Sequence, residues 1–555
     1  MIKQGDDLGL DMPSVPLGSL DFMLFDDRNS DLDLFLENTG WFRVTNGMLD
    51  AQGLVLYTGV RHDDQASTLT IGSWPNAPGA RLQVHPTSVD VTSDAEGSLH
   101  VSYAVRGRRI IGTRGDLISR YQGGGFDVQA FEELLALNFV LGNNTLDKNV
   151  KRLNAIQKWT ATSAEDIELI DCPWIRESVR DLSPEEAIAN LSQWTAQKCD
   201  SGAMLEMSAG YDSRIVLALA IHGGADNIRG FTLGNLGMVD PDGARMLAEK
   251  CSIDHLVLPH EDYADPTDVN ESTRLMQQAT NFLVNAADYS MFPQMFMALD
   301  GVRDGQINGL GGEKFIGFYD TPMDSAFSKV KTSRFLWYRY RVLSNAHLFD
   351  RLWPRKEAAR RLNGVLERLD RVIMGFDGPW RARLKKFYGR MKLKNWGSAV
   401  ITASSRWYEP ASPLWSMEFE NWSMSNPDHV GRTGQVMITS KLAPALESLP
   451  YQDELERDVK YGSQMGNRSN SLFGKVMLRL LRKRWATQPE IAQVADGYLN
   501  DEEFMLNIRE LQNIPELGGF DLSNTFRGNP MQEAHAIGVL LSAALANQNM
   551  QDSSN

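Results

Sequence analysis

Short runs of alternating apolar and polar positions over the first 120 or so residues predict β structure. The runs are rich in β-branched and aromatic residues, and Gly, Pro, Asn and Asp clusters separate them. They are GLVLYTGV (53–60), STLTIGSW (67–74) and SLHVSYAV (98–105). The spacing then becomes helical from about Phe126. Phe131, Leu134 and Leu135 fall on one helical face, and Gly142 is a natural stop.

Strands and helices are predicted to alternate from about residue 180. Ser183-Pro-Glu-Glu186 has the form of a capping box with proline at the first helical position, which predicts a helix to about Cys199. The elements predicted after it are the strand AMLEM (203–207), the helix RIVLALAIHGG (214–224), the strand IRGFTL (228–233), a helix at about 242–251 and the strand HLVLP (255–259). This alternation predicts a parallel sheet with crossover helices. The chain is predicted to be helical, basic and aromatic from about 325 to 400.

Composition narrows the class of protein without giving an activity. The chain has 555 residues, of which 42% are apolar and 23% charged, as in ordinary multidomain globular proteins. Its net charge of −15 argues against general nucleic-acid or anionic-membrane binding. Three cysteines without CxxC spacing form no disulfide framework or structural zinc site. Apolar runs such as 539–546 are too short to span a membrane, and the amino terminus lacks a signal-peptide pattern, so we expect a cytoplasmic protein.

The segment with the most chemical character is Leu205-Glu-Met-Ser208-Ala-Gly210-Tyr-Asp212-Ser213-Arg. Small residues between a buried strand and a helix leave the first helical N–H groups unpaired and directed at one spot, which favours phosphate oxygens. Ser208 and Ser213 add hydroxyl donors, whereas Asp212 suits a phosphate site only if Mg²⁺ lies between the two anions. The alternative is an ordinary strand–helix turn capped by its Ser and Asp residues.

This loop resembles the S-G-G-x-D-S pyrophosphate loop of the asparagine synthetase-like ATP pyrophosphatases, with Ala209 in place of the first Gly and Gly210 retained. Other segments follow in the family's order. They are Asp240, Ala244, Ala248 and His255 at the spacing D-x3-A-x3-A-x6-H, then Asn308-Gly-Leu-Gly-Gly-Glu-Lys-Phe-Ile-Gly-Phe-Tyr319, Pro413-Leu-Trp, Leu449-Pro450 and Lys460-Tyr-Gly462. Residues 143–159 look like the segment that joins the family's two domains. The resemblance covers roughly 125–465.

The resemblance implies an α/β architecture of two domains. A parallel-sheet ATP-pyrophosphatase domain, similar to the adenine nucleotide α-hydrolases and carrying helical inserts, is expected over 166–530. A β-rich, degenerate Ntn-type domain similar to a glutaminase is expected over 1–165, and a C-terminal helix with a frayed tail over 531–555. Glutamine-dependent members need Cys at position 2, where this chain has Ile, and its first cysteine is Cys172. We therefore expect a domain that releases no ammonia, as in β-lactam synthetases and lasso-peptide cyclases.

The family cleaves ATP to AMP and pyrophosphate, adenylates a carboxylate and joins it to an amine, with ATP and Mg²⁺ as the implied ligands. The residues that the resemblance assigns to ATP are Leu205, Ser208, Ala209, Gly210, Tyr211, Asp212, Ser213, Leu233, Gly311 and Gly312. Asp212 and Glu313 would bind magnesium, with Glu313 one methylene longer than the family's Asp. Lys460 would stabilise developing charge, although a plain surface lysine is the alternative.

Two departures concern the amide-forming step. Leu310 stands where the family has a base or part of one, and leucine cannot take a proton. Lys314 replaces a family Glu. The candidates for a replacement base are Asp288, Tyr289 and Tyr319, each with a structural role as the alternative.

The expected partners are a small-molecule or peptide carboxylate with an amine nucleophile, and a partner protein or precursor peptide. Homo-oligomers are compatible with the sequence, while nucleic acid and membrane are not expected. Three basic segments (329–341, 381–394 and 475–484) are either solvated helix faces or a patch that docks an acidic partner. The leading function is an amide-forming ligase acting on a peptide or specialised metabolite. The alternatives are a degenerate nucleotide-binding scaffold and an ammonia-dependent asparagine synthetase.

Overall fold

A computed structural model describes most of the chain. The described residues are 20–26, 30–39, 41–44, 46–50, 52, 54–58, 67–72, 78–105, 109–122, 124–162, 167–172, 182–259, 266–285, 305–316, 328–425, 431–455, 502–522 and 530–551. Within these ranges the chain combines helices with two antiparallel sheets and one parallel sheet. Every described helix is too short or too polar to cross a lipid bilayer.

The eleven strands described before residue 172 form the two antiparallel sheets, which we call the amino-terminal β unit. They are β1 Phe22–Asp26, β2 Phe42–Val44, β3 Leu54–Thr58, β4 Thr68–Gly72, β5 Gly79–Val84, β6 Ser88–Ser93, β7 Ser102–Ala104, β8 Ile110–Gly112, β9 Val150–Arg152, β10 Gln157–Thr162 and β11 Ile167–Asp171. The strand orders are β2-β3-β1-β8-β7-β9 and β11-β10-β6-β5-β4. The predicted β character of this region is confirmed.

The two sheets share a buried apolar core, because alternate side chains of each strand point to opposite faces. Leu24 of β1 and Val91 of β6 lie in this shared core together with Trp159 of β10. The other face of the six-stranded sheet, represented by Phe25, is covered by helices that include Leu36 and Ile118. These helices are α1 Ser30–Asn38 and α3 Gly115–Gln122, with the short α2 Gly47–Asp50 between them.

The parallel sheet is built as the strand–helix alternation predicts. Its strands are β12 Met204–Glu206, β13 Arg229–Leu233, β14 Asp254–Leu258, β15 Gln306–Ile307 and β16 Pro410–Ala411, in the order β14-β13-β12-β15-β16. The chain therefore moves outward from β12 to β14 and then returns to the other side of β12. The crevice between the carboxyl ends of β12 and β15 is a topological switch point, where open parallel sheets bind ligands.

Helices make up the rest of the described chain. They are α4 Val128–Leu137, α5 Pro184–Asp200, α6 Tyr211–His222, α7 Val239–Cys251, α8 Pro266–Ala279, α9 Glu313–Ile316, α10 Lys331–Arg341, α11 Phe349–Leu352, α12 Arg355–Met374, α13 Trp380–Phe387, a π-helix Tyr388–Gly397, α14 Ser398–Ser404, α15 Met417–Met424, α16 Gly431–Leu442, α17 Glu502–Glu510 and α18 Pro530–Gln551. Short 3₁₀ turns lie at Ala346–Leu348, Pro413–Trp415, Pro444–Leu446, Leu511–Asn513 and Pro515–Leu517. The capping box of α5 is present as predicted.

Two local predictions need correction. Residues 98–105 were expected to form one strand, but the strand covers only Ser102–Ala104, because Ser98 and Leu99 donate instead to the buried carboxylate of Asp94. The segment 143–159, which resembles a domain connection, contributes β9 and the first half of β10 to the antiparallel sheets. Strands of two or three residues carry too little periodicity to be predicted.

Candidate active site

The predicted phosphate loop lies between β12 and α6. Gly210 is the N-cap residue of α6 with an extended backbone (φ −68°, ψ 167°), and as glycine it offers no side chain to the first helical N–H groups. Ser208 Oγ accepts a hydrogen bond from Gly210 N at 3.1 Å and lies 2.8 Å from Ser213 Oγ. The loop thus has the free helix N-terminus and the paired hydroxyls that suit an anion.

The glycine-rich segment after β15 packs directly against this loop. A side chain at Gly309 would come within 3.0 Å of Asp212 Cβ, and one at Gly312 would overlap the Asp212 carboxyl. Gly311 has a φ of +105°, and a Cβ there would lie 2.8 Å from Trp415 N and Cα. These positions require glycine, so the two loops approach each other backbone to backbone across the switch point.

Asp212 and Glu313 are brought close together at this crevice. Burial, followed by the charge of Glu313, raises the pKa of Asp212 to about 8, whereas Gln435 and Arg432 oppose the rise. Glu313 Oε2 is buried and accepts no hydrogen bond from any described residue. Neighbouring carboxylates, one of them with an unsatisfied oxygen, are the ligands that a hard divalent cation prefers. The residues present therefore fit Mg²⁺, although the described residues contain no cluster of three or more His, Cys, Asp or Glu.

Neighbouring side chains fix the walls of the crevice. Gln435 Nε2 donates to Asp212 Oδ1 from α16. Lys392 of the π-helix lies within the electrostatic reach of Glu313, which raises its pKa against the larger lowering by burial. Gln435 was not singled out by the sequence, because it lies far along the chain in a helix without a motif. Lys392 belongs to the basic segment 381–394, for which only a solvated face or a docking patch was considered. The π-helix itself is a geometry that occurs often at functional sites.

The residues at the family spacing after β13 have structural contacts that explain them. Asp240 Oδ1 accepts from Ala209 N at 3.2 Å and so supports the phosphate loop from α7. Ala244 and Ala248 are buried against the sheet. His255 Nε2 lies 2.8 Å from Thr232 Oγ1, and burial lowers the pKa of this histidine. These residues shape the site without entering it.

The predicted adenosine contacts lie on neighbouring strands. Leu205 of β12 is fully buried, and Leu233 ends β13. Leu233 belongs to an apolar cluster with Phe231, Leu258 and Tyr408 on the opposite face of the sheet from Leu205. Both strands end at the same edge of the sheet, and β13 lies next to β12 on the side away from β15.

Tyr211 takes part in an aromatic stack that the sequence did not reveal. Its ring lies 4.4 Å from that of Tyr451, at 14° between planes. Arg214 Cζ is 3.7 Å from the Tyr451 ring centroid on the other side, and Arg432 Cζ is 5.2 Å from Tyr211. Arg214 also donates to the carbonyls of Leu449 and Pro450 at 2.8 and 2.7 Å. The predicted Leu449-Pro450 segment is thereby fastened to the start of α6.

The two departures from the family pattern have distinct surroundings. Leu310 packs against the helical core instead of offering a polar group. Lys314 Nζ lies 2.6 Å from Glu96 Oε2 of the amino-terminal β unit. Four predicted residues, namely Asp288, Tyr289, Tyr319 and Lys460, lie outside the described residues. The structure therefore brings the Ser208–Ser213 loop together with Gly311, Gly312 and Glu313.

Comparisons with models of known protein families and with curated proteins found no match to this chain. The functional interpretation therefore depends on the geometry of the crevice and on the motif resemblance.

Proposed function

We propose that this protein is an ATP-dependent ligase of the asparagine synthetase-like type. It joins a substrate carboxylate to a substrate amine and releases AMP and pyrophosphate. The observation that carries the proposal is that Asp212, in the first turn of α6, lies close enough to Glu313 for the charge of Glu313 to raise its pKa. The N-terminus of α6 beside it has no side-chain cap. A phosphate-binding turn next to a pair of cation-binding carboxylates suits a nucleoside triphosphate with its metal ion.

The proposed reaction has two steps, adenylation of the carboxylate and then amide formation. A substrate carboxylate oxygen attacks the α-phosphorus of ATP, the bond to the β-phosphate breaks, and pyrophosphate leaves. The amine then attacks the acyl carbon, AMP leaves, and the amine gives up a proton. Bound Mg²⁺ would neutralise the phosphate charge. In this scheme the loop N–H groups with Ser208 and Ser213 hold pyrophosphate, while Asp212 and Glu313 hold the metal.

Other parts of the proposal rest on the motif resemblance. The parallel-sheet unit is assigned to the ATP-pyrophosphatase fold, and the amino-terminal β unit to a degenerate glutaminase-like domain without Cys at position 2. Lys460 is assigned the role of stabilising charge in the transition state, and Tyr319 is retained as a candidate for the missing base. The substrates proposed are a peptide or specialised metabolite that carries its own amine.

A second candidate is a nucleotide-binding scaffold without amide synthesis. The observation that favours it is Leu310, which packs against the helical core at the position where the family has the proton-accepting base, or part of it, for amide formation. Such a protein would bind Mg²⁺ and ATP through the same crevice and would catalyse no transfer to an amine.

The test is exchange of labelled pyrophosphate into ATP in the presence of candidate carboxylates. We expect carboxylate-dependent exchange that falls about 100-fold or more in Asp212→Asn, by analogy with loss of a group that stabilises transition-state charge. Asp242→Asn is the matched control, because this acid lies in the first turn of α7 with its carboxyl 3.8 Å from Arg245. ATP binding without exchange for any carboxylate would favour the scaffold. Absence of both would refute the proposed function.

A further inference from the structure

The amino-terminal β unit reaches the candidate metal site through one buried ion pair. Lys314 Nζ lies 2.6 Å from Glu96 Oε2, and each side chain is only about a tenth exposed (9% and 10%). Glu420 of α15 stands 3.9 Å from the same ammonium but is half exposed. Lys314 directly follows Glu313, so a contact made 218 residues away in sequence bears on the residue next to a candidate metal ligand.

The turn that presents Glu96 is held in one conformation. The Asp94 carboxylate is fully buried and accepts hydrogen bonds from five donors. These are the backbone N–H groups of Gly79, Glu96, Ser98 and Leu99 and the hydroxyl of Ser98. Gly97 has a φ of +63°, and a Cβ there would lie 2.9 Å from Ala155 N. This turn therefore presents a preorganised carboxylate to Lys314, which differs from a flexible surface acid.

The turn also packs on the parallel-sheet unit. Ala95 is buried with Cys172 and Met417, and Met417 begins α15 just after the 3₁₀ turn Pro413–Trp415. The same 3₁₀ turn closes over Gly311 in the glycine-rich segment. Both ends of the Glu96–Lys314 pair are thus fixed to elements that line the crevice.

Without Glu96, the Lys314 ammonium would keep the half-exposed Glu420, 3.9 Å away, as its one partner among the described residues. Glu313, the preceding residue, has a buried carboxylate oxygen that accepts no hydrogen bond from a described residue and could receive the ammonium. Pairing there would cancel the charge that a divalent cation needs. We propose that Glu96 is a positioning residue, which holds the Lys314 ammonium away from Glu313 and so keeps the Asp212–Glu313 pair open to a cation. The amino-terminal β unit would then serve the metal site through Lys314, and the inference rests on the proposed function for the identity of that site.

The test measures Mn²⁺ binding to the nucleotide-free full-length chain by electron paramagnetic resonance, with Mn²⁺ standing in for Mg²⁺. We expect Glu96→Gln to weaken Mn²⁺ binding by about 10- to 100-fold, the usual effect of losing a partner behind the metal ligands. The double variant Glu96→Gln with Lys314→Met is expected to bind nearly as well as the wild type, because the stray ammonium is gone. A merely structural ion pair would not show this rescue.

Glu132→Gln is the matched control, since Glu132 forms an equally buried 2.8 Å pair with Arg361 in the helical core. It is expected to lower the melting temperature and leave Mn²⁺ binding unchanged. Lys314→Met alone is expected to bind Mn²⁺ at least as tightly as the wild type, which serves if Glu96→Gln does not fold. Any of four results would overturn the inference. They are unchanged Mn²⁺ binding in Glu96→Gln, no rescue in the double variant, weakened binding in Lys314→Met, and Mn²⁺ binding by Asp212→Asn that is as tight as in the wild type. The expected Mn²⁺ pattern without pyrophosphate exchange would refute the ligase alone.

Discussion

Replacing Asp212 by Asn should stabilise the ligand-free protein at alkaline pH while removing its response to Mg²⁺. The pKa of this carboxyl is raised from its ordinary 3.8 to about 8, first by burial and then by the charge of Glu313. At about 1.4 kcal/mol per pKa unit, this difference sets an upper limit of about 6 kcal/mol. Solvent still reaches part of Asp212. Screening therefore reduces the expected gain to roughly 2 kcal/mol.

The sign of the pH dependence follows from proton linkage. Between pH 4 and pH 8 the carboxyl of Asp212 is ionised in the unfolded chain and protonated in the folded one, so folding takes up a proton. The free energy of unfolding therefore falls as pH rises through this window, and the full cost is present above the folded pKa. Asp212→Asn has no such cost. Its advantage over the wild type should be small near pH 4 and largest above pH 8.

The assay is thermal or urea unfolding of both proteins across pH 4 to pH 9, with and without Mg²⁺ and ATP. The variant should be the more stable protein at pH 8.5 without ligand, and only the wild type should gain stability when ligand is added. Asp94→Asn is the contrasting control. Burial also raises the pKa of Asp94, but its carboxylate accepts five hydrogen bonds that an amide cannot reproduce, so this variant should be less stable. A variant at Asp212 that is less stable than the wild type at every pH would refute the reasoning.

Three further substitutions test a glycine contact at the crevice, the aromatic stack on Tyr451 and a buried ion pair. Gly312→Ala should abolish Mg²⁺-dependent ATP binding in calorimetry, because the added Cβ overlaps the Asp212 carboxyl. The control Gly389→Ala should bind normally, because its Cβ meets only the Lys314 side chain, at 3.9 Å. Tyr451→Ala should lower the free energy of unfolding by about 1–3 kcal/mol, since the ring is stacked between another ring and a guanidinium, and Phe should restore it. Arg406→Met should lower the free energy of unfolding by about 3–5 kcal/mol, measured in urea, because it leaves the buried carboxylate of Asp21 without its cation.

The architecture was predictable where the hydrophobic pattern is long and local. The capping box of α5 and the strand–helix alternation through β14 were visible because each signal lies within a few neighbouring residues. The two-residue strands β15 and β16 were not, since pairing with distant strands creates them. The same holds for β9, where a segment that looked like a linker completes an antiparallel sheet.

In the candidate site, too, the residues with a local sequence signal were predictable and those placed by long-range contacts were not. The phosphate loop and the glycine-rich segment carry their constraints in sequence, because glycine is required where two backbones touch at Asp212 and at Trp415. Gln435 gave no signal, since its amide reaches Asp212 from a helix 223 residues later. Lys314 was visible only as a departure from the family pattern. Its carboxylate partner on the amino-terminal β unit could not be read from spacing.

The cationic side chains around the crevice have partners other than Asp212 and Glu313, and this bears on the ligand of the site. Lys314 forms an ion pair with Glu96, and Arg432 forms one with Asp453. Arg214 donates to two backbone carbonyls and lies over the ring of Tyr451. Neither Asp212 nor Glu313 forms an ion pair with a described residue, and burial followed by the charge of Glu313 keeps Asp212 protonated below about pH 8 in the ligand-free protein. Arg432 acts on Asp212 and Lys392 on Glu313 only through their charges, without forming an ion pair with either, which leaves the carboxylate oxygens for a cation from solution. Metal binding would displace the proton that Asp212 holds below about pH 8, so the affinity for the metal should rise with pH up to that value.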